Sequence, residues 1–192
     1  MIIKQHADLS LLNTFGLPSI AERLVSVGTQ DEIAGYFESG EPHPTLVLGG
    51  GSNLLLTRDV SGTVLKIEVP GIEVVSETDN HVFVKVGAGE VWHNLVLNAI
   101  ANNWGGIENL SLIPGNVGTA PMQNIGAYGT EINSVFHELD AYLTEDRSWK
   151  TFGLDECNFG YRESVFKRKL KNKAVIGYVT FKLNKKHEFN MQ

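Results

Sequence analysis

Five consecutive residues, Gly49-Gly50-Gly51-Ser52-Asn53, have the composition of an anion cradle. Successive glycines let backbone N–H groups converge on a phosphate with no side chain in the way, and Ser52 and Asn53 add neutral donors. The same pentapeptide also suits a plain tight turn, so its chemistry depends on what faces it. Two familiar nucleotide-binding patterns are not met. A G-x-G-x-x-G dinucleotide turn would need a third glycine where Leu54 stands. Residues 52–59 are also too short for the ~10–12 residues of a crossover containing a helix, although Glu68 lies at about the distance of a ribose ligand. No G-x-x-x-x-G-K-[ST] occurs, which excludes a P-loop. The pattern predicts a strand–turn–strand cradle.

A second region is marked by what it lacks. Between Val91 and Thr130 the only Asp, Glu, Lys or Arg is Glu108, where the chain's 20% charge would place about eight. Up to Asn102 a buried helix accounts for this. Over residues 109–130 it does not, because Asn109, Ser111, Asn116, Thr119, Gln123 and Asn124 interleave with Pro114, Gly115, Gly118, Pro121, Gly126 and Gly129. Uncharged hydrogen-bonding groups on a glycine-rich backbone suit contact with a large polar ligand. Further on, Phe159-Gly160-Tyr161-Arg162-Glu163-Ser164 offers Arg162, either as an exposed ion pair or as a guanidinium for a carboxylate or developing anion. Lys167, Arg168, Lys169, Lys171 and Lys173 read as a solvated loop, with attraction of phosphate-bearing substrate as the alternative.

Other chemistries find little support. The histidines at 6, 43, 81, 93, 137 and 187 have no metal-ligand spacing, and no Ser/His/Asp or Cys/His set is visible. Cys157 is the sole cysteine, so no internal disulfide can form, which fits a reducing cytoplasm. The start has no secretory apolar core, and no run approaches the ~18 residues of a membrane span. Sixteen basic against 22 acidic residues give a net charge of −6, against a nucleic-acid binder. With 42% hydrophobic residues, the 192-residue chain can bury one core or two small lobes. Twenty glycines are above the ~7% norm.

The elements that must position these residues fall into two groups. Strand-like residues 20–27, a helix opened by Thr29 and running to Phe37, and strands at 45–48 and 62–69 predict a β-α-β-β lobe over residues 1–70. A hairpin of residues 72–76 and 81–86, a helix over 90–102, and strands at 135–144, 148–152 and 174–183 predict a second lobe over 71–192. The helix is expected to place Val91, Leu95, Asn98 and Asn102 on one face, and Trp92, Val96, Ala99 and Ile100 on the other.

Six motifs in order carry a resemblance: Asn13-Thr14-Phe15-Gly16, Leu48 to Asn53, Gly87-Ala88-Gly89-Glu90-x-Trp92, Ile113-Pro114-Gly115, Gln123 to Gly129, and Phe159-Gly160-Tyr161-Arg162. Over about residues 13–183 the chain closely resembles the UDP-N-acetylenolpyruvoylglucosamine reductases, flavoenzymes of peptidoglycan precursor synthesis. The resemblance implies an α+β, two-lobed FAD-binding fold of the vanillyl-alcohol-oxidase type, with FAD held non-covalently. It implies that Gly49, Gly50, Gly51, Ser52 and Asn53 hold the pyrophosphate, with Leu54 also at the cofactor. Ser111, Pro114, Gly115, Gly118, Thr119, Gln123, Asn124, Gly126 and Ala127 would line the flavin. NADPH would be the reductant, a UDP-sugar the substrate and UDP-N-acetylmuramate the product. The composition adds the expectations of a cytoplasmic protein without nucleic-acid, membrane or metal partners, and leaves the oligomeric state open, with a monomer favoured. Arg162 would stabilise charge developing beside the substrate carboxylate, with Tyr161 positioning it. The family's serine proton donor and C-terminal glutamate can be assigned to no residue before Gln192, and Ser164 is outside the donor motif. The expectation is a truncated chain that folds as the FAD-binding part and cannot complete the reaction, or a flavin- or partner-binding module without catalysis.

Overall fold

The computed structural model describes residues 1–185; His187, one of the histidines considered above, lies outside the described residues. Two sheets organise the chain. The first has the order β1-β2-β4-β3, from β1 (Ile2–Asp8), β2 (Ile20–Val27), β3 (Leu46–Leu48) and β4 (Val60–Ile67). β1 runs antiparallel to β2, while β2 and β3 both pair with β4 in parallel. β3 and β4 are therefore parallel neighbours joined by residues 49–59 alone. The glycine run is the start of a helix-free crossover and not a hairpin turn. Between β2 and β3 lies α1 (Gln30–Glu38), whose first turn is capped by the Thr29 hydroxyl accepting from the Glu32 N–H at 3.1 Å. Such a cap contributes about 1 kcal/mol.

The second sheet has the order β10-β9-β11-β6-β5 and is antiparallel throughout. Its strands are β5 (Ile72–Glu77), β6 (His81–Gly87), β9 (Phe136–Leu143), β10 (Ser148–Gly153) and β11 (Ala174–Asn184). Alternation explains its burial: Val82, Val84 and Val86 of β6 are fully buried on one face, with Phe83 and Lys85 on the other. That face is covered by α2 (Trp92–Ala101), through Trp92, Leu95, Val96 and Ala99. Leu95 thus joins the core side, whereas Val91 and Ile100, expected on opposite faces, are both exposed. Packing against the sheet selects a different stripe from the one the sequence alternation suggested.

α1 connects the two sheets. Its Tyr36 and Phe37 pack with Val25, Val27, Leu65 and Ile67 of the first sheet, and with Tyr142 and Val175 of the second. A third cluster, including Leu9, Leu24, Leu48 and Val64, closes the far face of the first sheet. Among the described residues, no helix is long and apolar enough to cross a membrane.

Candidate flavin site

Residues 109–130 are not a free loop. Leu110, Val117, Ala120 and Ile125 enter the main core, so the segment is anchored from within while its polar groups, Asn124 excepted, stay near the surface. It is stitched to the β6–α2 connection: Val117 N–H donates to Glu90 O (2.8 Å), Gly118 N–H to Ala88 O (3.0 Å) and Trp92 N–H to Gly115 O (3.0 Å). The Trp92 indole donates to Leu110 O at 2.8 Å. The uncharged composition thus serves two roles, core on one side and loop surface on the other.

This segment and the glycine run come together although some 60 to 70 residues separate them. Ser52 Oγ donates to Pro114 O at 3.1 Å and Asn53 Nδ2 to Gln123 Oε1 at 3.4 Å. The glycines are required by that approach. A Cβ on Gly49 would lie 2.5 Å from Thr119 Cγ2, and one on Gly50 2.5 Å from Asn116 Oδ1. A Cβ on Gly51, which has φ +68°, would overlap the Leu12 carbonyl, and one on Gly115 would lie 2.8 Å from Ser52 Oγ. Close contact with neighbouring protein, backbone at Gly51 and mainly side chains at Gly49, Gly50 and Gly115, excludes a Cβ here.

The contact leaves a consequence for the N–H groups. Among the described residues, none of the five backbone N–H groups from Gly50 to Leu54 donates to a protein acceptor, although Gly51 is buried. Buried N–H groups are nearly always paired, so the unpaired one on buried Gly51 stands out, and its half-buried and exposed neighbours leave a run of donors open to an external acceptor. The donors are neutral and oriented by the chain, which suits a phosphate or diphosphate.

Two depressions lie in this part of the molecule, one of them reaching the glycine run at Gly49. A cleft of 230 Å³ lies between the sheets, walled by Leu46 and Val47 on one side and Ala174, Val175 and Ile176 on the other, with Gly49, Gly118, Thr119 and Met122 beside them. It is smaller than the ~300–1,000 Å³ of a complete ligand pocket, and so takes one end of an extended ligand. An open groove of 580 Å³ lies beyond Gln123, lined by Gly126, Ala127, Tyr128, Glu131, Tyr161 and Arg162 among others. Its wall is the hairpin of β7 (Gly126–Ala127) and β8 (Thr130–Glu131). The two-residue turn has positive φ at both Tyr128 (+51°) and Gly129 (+78°), the geometry of a type I′ connection.

Arg162 (φ +53°) donates from Nη2 to Gly126 O at 3.0 Å. The ion pair that its neighbour suggested is made elsewhere, since Glu163 pairs with Arg168 at 2.7 Å. Burial raises the Glu163 pKa, but hydrogen bonds from Arg168 and from the Ser164 N–H outweigh it and hold the carboxyl below its usual range. Among the described residues, no carboxylate forms an ion pair with Arg162, although Glu131 lines the same groove. Lys167 Nζ donates to the Arg162 carbonyl at 2.9 Å, fixing the turn from below. Tyr161 is exposed beside it.

Of the residues expected at the cofactor, Gly49, Gly118 and Thr119 line the cleft, Gly126 and Ala127 line the groove, and Gly50 to Asn53, Gly115 and Gln123 lie at the contact between loops. Pro114 accepts from Ser52, while Ser111 and Leu54 line neither depression. Asn124 is fully buried: its amide donates to Glu131 Oε2 (2.8 Å) and Gly160 O (3.2 Å), and its Oδ1 accepts from Asn133 N–H (3.1 Å). It braces the turn that carries Arg162 and has no face toward a ligand. Sequence reasoning missed Met122 and the β11 wall of the cleft, whose residues read as ordinary core, and Tyr128 in the groove. Among the described residues no group of His, Cys, Asp and Glu could hold a metal ion.

The FAD binding domain family matches residues 21–148. UDP-N-acetylenolpyruvoylglucosamine reductase of Flavobacterium johnsoniae is 46% identical over 99% of this chain and 57% of its own length. The reductase of Azoarcus sp. is 50% identical over 88% of this chain and 50% of its own. The chain spans about half the length of these curated relatives. Among solved structures, UDP-N-acetylenolpyruvylglucosamine reductase from Thermus caldophilus superposes with a TM-score of 0.77 at 25% identity, covering 97% of this chain and 63% of that one. A solvent-stable cholesterol oxidase, at 12% identity and TM-score 0.59 over 86% of this chain and 35% of its own, shares the fold alone. The family match, the relatives and the shared fold together show that this chain belongs to the FAD-binding domain family, as a relative of the UDP-N-acetylenolpyruvoylglucosamine reductases.

Proposed function

We propose that the chain binds FAD and contributes the flavin-binding part of a cytoplasmic, NADPH-linked UDP-N-acetylenolpyruvoylglucosamine reductase, which makes UDP-N-acetylmuramate for peptidoglycan. The observation that carries the reading is the run of five N–H groups, Gly50 to Leu54, without protein acceptors. They fit the pyrophosphate of a dinucleotide, with the adjoining cleft taking one ring system and the Gly126–Ala127 edge lying beside the other. Bound FAD supplies a two-electron carrier between NADPH and the enolpyruvyl double bond. Arg162 stabilises the negative charge that grows toward the substrate carboxylate as that bond is reduced, and among the described residues no ion pair with a carboxylate occupies it. Tyr161 and the Asn124-braced Gly160 carbonyl set the turn from which the guanidinium reaches. Proton delivery to the product is assigned to no residue of this chain, so flavin binding and complete turnover are separate claims.

The experiment follows that division. Titration with FAD should give a yellow, saturable complex with quenched flavin fluorescence, and anaerobic NADPH should bleach it. Protein that stays colourless at a large excess of FAD would defeat the cofactor reading. A bound flavin that NADPH leaves oxidised would restrict the proposal to cofactor binding.

A further inference from the structure

Asn13-Thr14-Phe15-Gly16 has no place in the site so far, yet it touches the cradle from behind. Asn13 is a buried polar residue, 6% exposed, whose amide is used entirely on its own loop. Nδ2 donates to Leu9 O (2.9 Å), Leu17 O (3.0 Å) and Ser10 O (3.4 Å), and Oδ1 accepts from Leu17 N–H (3.0 Å). One side chain thereby ties residues 9 to 17 into a closed loop, with nothing left for a ligand. The loop presents two groups to Gly51. The Leu12 carbonyl occupies the space a Cβ would need, and the Thr14 N–H donates to Gly51 O at 3.3 Å.

The second contact has a stereochemical result. Across a planar trans peptide the C=O and the following N–H point in opposite directions. Holding the Gly51 carbonyl toward Thr14 therefore turns the Ser52 N–H away from residues 12–14. A left-handed residue within the run, here Gly51 at φ +68°, is what brings successive N–H groups to one side. We infer that Asn13 and Thr14 are positioning residues for the diphosphate of the dinucleotide: they hold the Gly51–Ser52 peptide in the orientation that makes the cradle a cradle. The inference rests on the flavin reading above and goes beyond it by assigning a determinant that no ligand touches.

Thr14→Pro removes the one N–H concerned, and Asn13 (φ −138°, ψ 141°) already has the extended conformation a residue before proline needs. Thr14→Ala keeps the N–H and serves as the conservative rescue. Asn13→Asp keeps the acceptor for Leu17 and loses the donors. The probes are ADP and FAD, with affinity from calorimetry, the ³¹P shifts of bound ADP, and the urea midpoint of the ligand-free protein. Thr14→Pro should weaken both ligands about tenfold, the worth of a hydrogen bond to a charged group, and move the ³¹P shifts at an unchanged midpoint. Thr14→Ala should stay within about twofold of the parent, and Asn13→Asp should fall between. Unchanged ADP affinity and ³¹P shifts in Thr14→Pro overturn the inference, as does an equal loss in Thr14→Ala. Affinity lost only in step with the urea midpoint, in Thr14→Pro or in Asn13→Asp, also overturns it. If the parent protein binds ADP and FAD while these variants match it, the flavin reading stands and only this inference falls. If the parent binds neither, both fall.

Discussion

The proposed cradle and the arginine groove are built on opposite principles. In the cradle the backbone is the ligand-binding group, and three segments around residues 12–14, 49–54 and 114–123 press so closely that Gly49, Gly50 and Gly51 have no room for a Cβ. In the groove, side chains carry the chemistry: Tyr128, Tyr161 and Arg162 are exposed on tight turns with space around them. Replacement in the first region is paid for in folding and cofactor affinity together. In the second region it should alter reactivity while leaving the fold intact.

Gly51→Ala should produce the largest effect. Overlap with the Leu12 carbonyl adds to the cost of a left-handed alanine, and we expect a loss of about 3 kcal/mol in urea-monitored stability, with FAD binding abolished. A fully stable Gly51→Ala that still binds FAD would erase the distinction between the regions. Arg162→Ala should do the reverse. FAD affinity should stay within about twofold, while turnover in any form of the enzyme that completes the reaction drops by about 100-fold or more, matching the ~3 kcal/mol of a lost charge-stabilising group. Equal losses of affinity and turnover would place Arg162 with the cradle.

Asn124→Ala tests where the two regions join. It leaves the Glu131 carboxylate and the Asn133 N–H without their protein partner and takes one of two donors from Gly160 O, which keeps the Glu163 N–H at 3.1 Å, so stability should fall by about 2 kcal/mol. Turnover should decline more than FAD affinity, because the brace leads to Arg162. The smallest effect is expected far from both, at the Arg23–Glu41 pair. Hydrogen bonding to Arg23 holds the Glu41 carboxyl below its usual value of 4.5. A depressed folded-state pKa contributes stability above the unfolded value and loses it as pH falls through the folded one. Glu41→Gln should therefore flatten the acid side of the Tm profile below about pH 4.5 and leave Tm near pH 7 almost unchanged.

These contrasts also explain what could be read without coordinates. β2, α1, β6 and β9 were legible because each buries one face, and alternation such as Val82, Val84 and Val86 registers directly as pattern. β1 was not. Ile2 and Ile3 are exposed, and only Ala7 of that edge strand is buried, so no periodicity marks it. The placing of β4 between β2 and β3 is likewise a long-range fact with no local signature. At the proposed site, glycine content pointed to loops that do come together, but their glycines have a further reason: neighbouring side chains and the Leu12 carbonyl exclude the Cβ. Asn124 shows the limit most clearly. A polar residue in a neutral loop reads as a ligand contact, and only its 0% exposure and three internal hydrogen bonds reveal a brace.

The cradle exists only where three remote stretches of chain meet, so its geometry depends on tertiary structure and is absent from the unfolded chain. Any molecule that recognises it binds the native state and not the unfolded chain, and so raises the melting temperature by mass action. Bound colour would then report tertiary assembly itself, and a flavin supplied during refolding would act as a selector of correctly joined lobes.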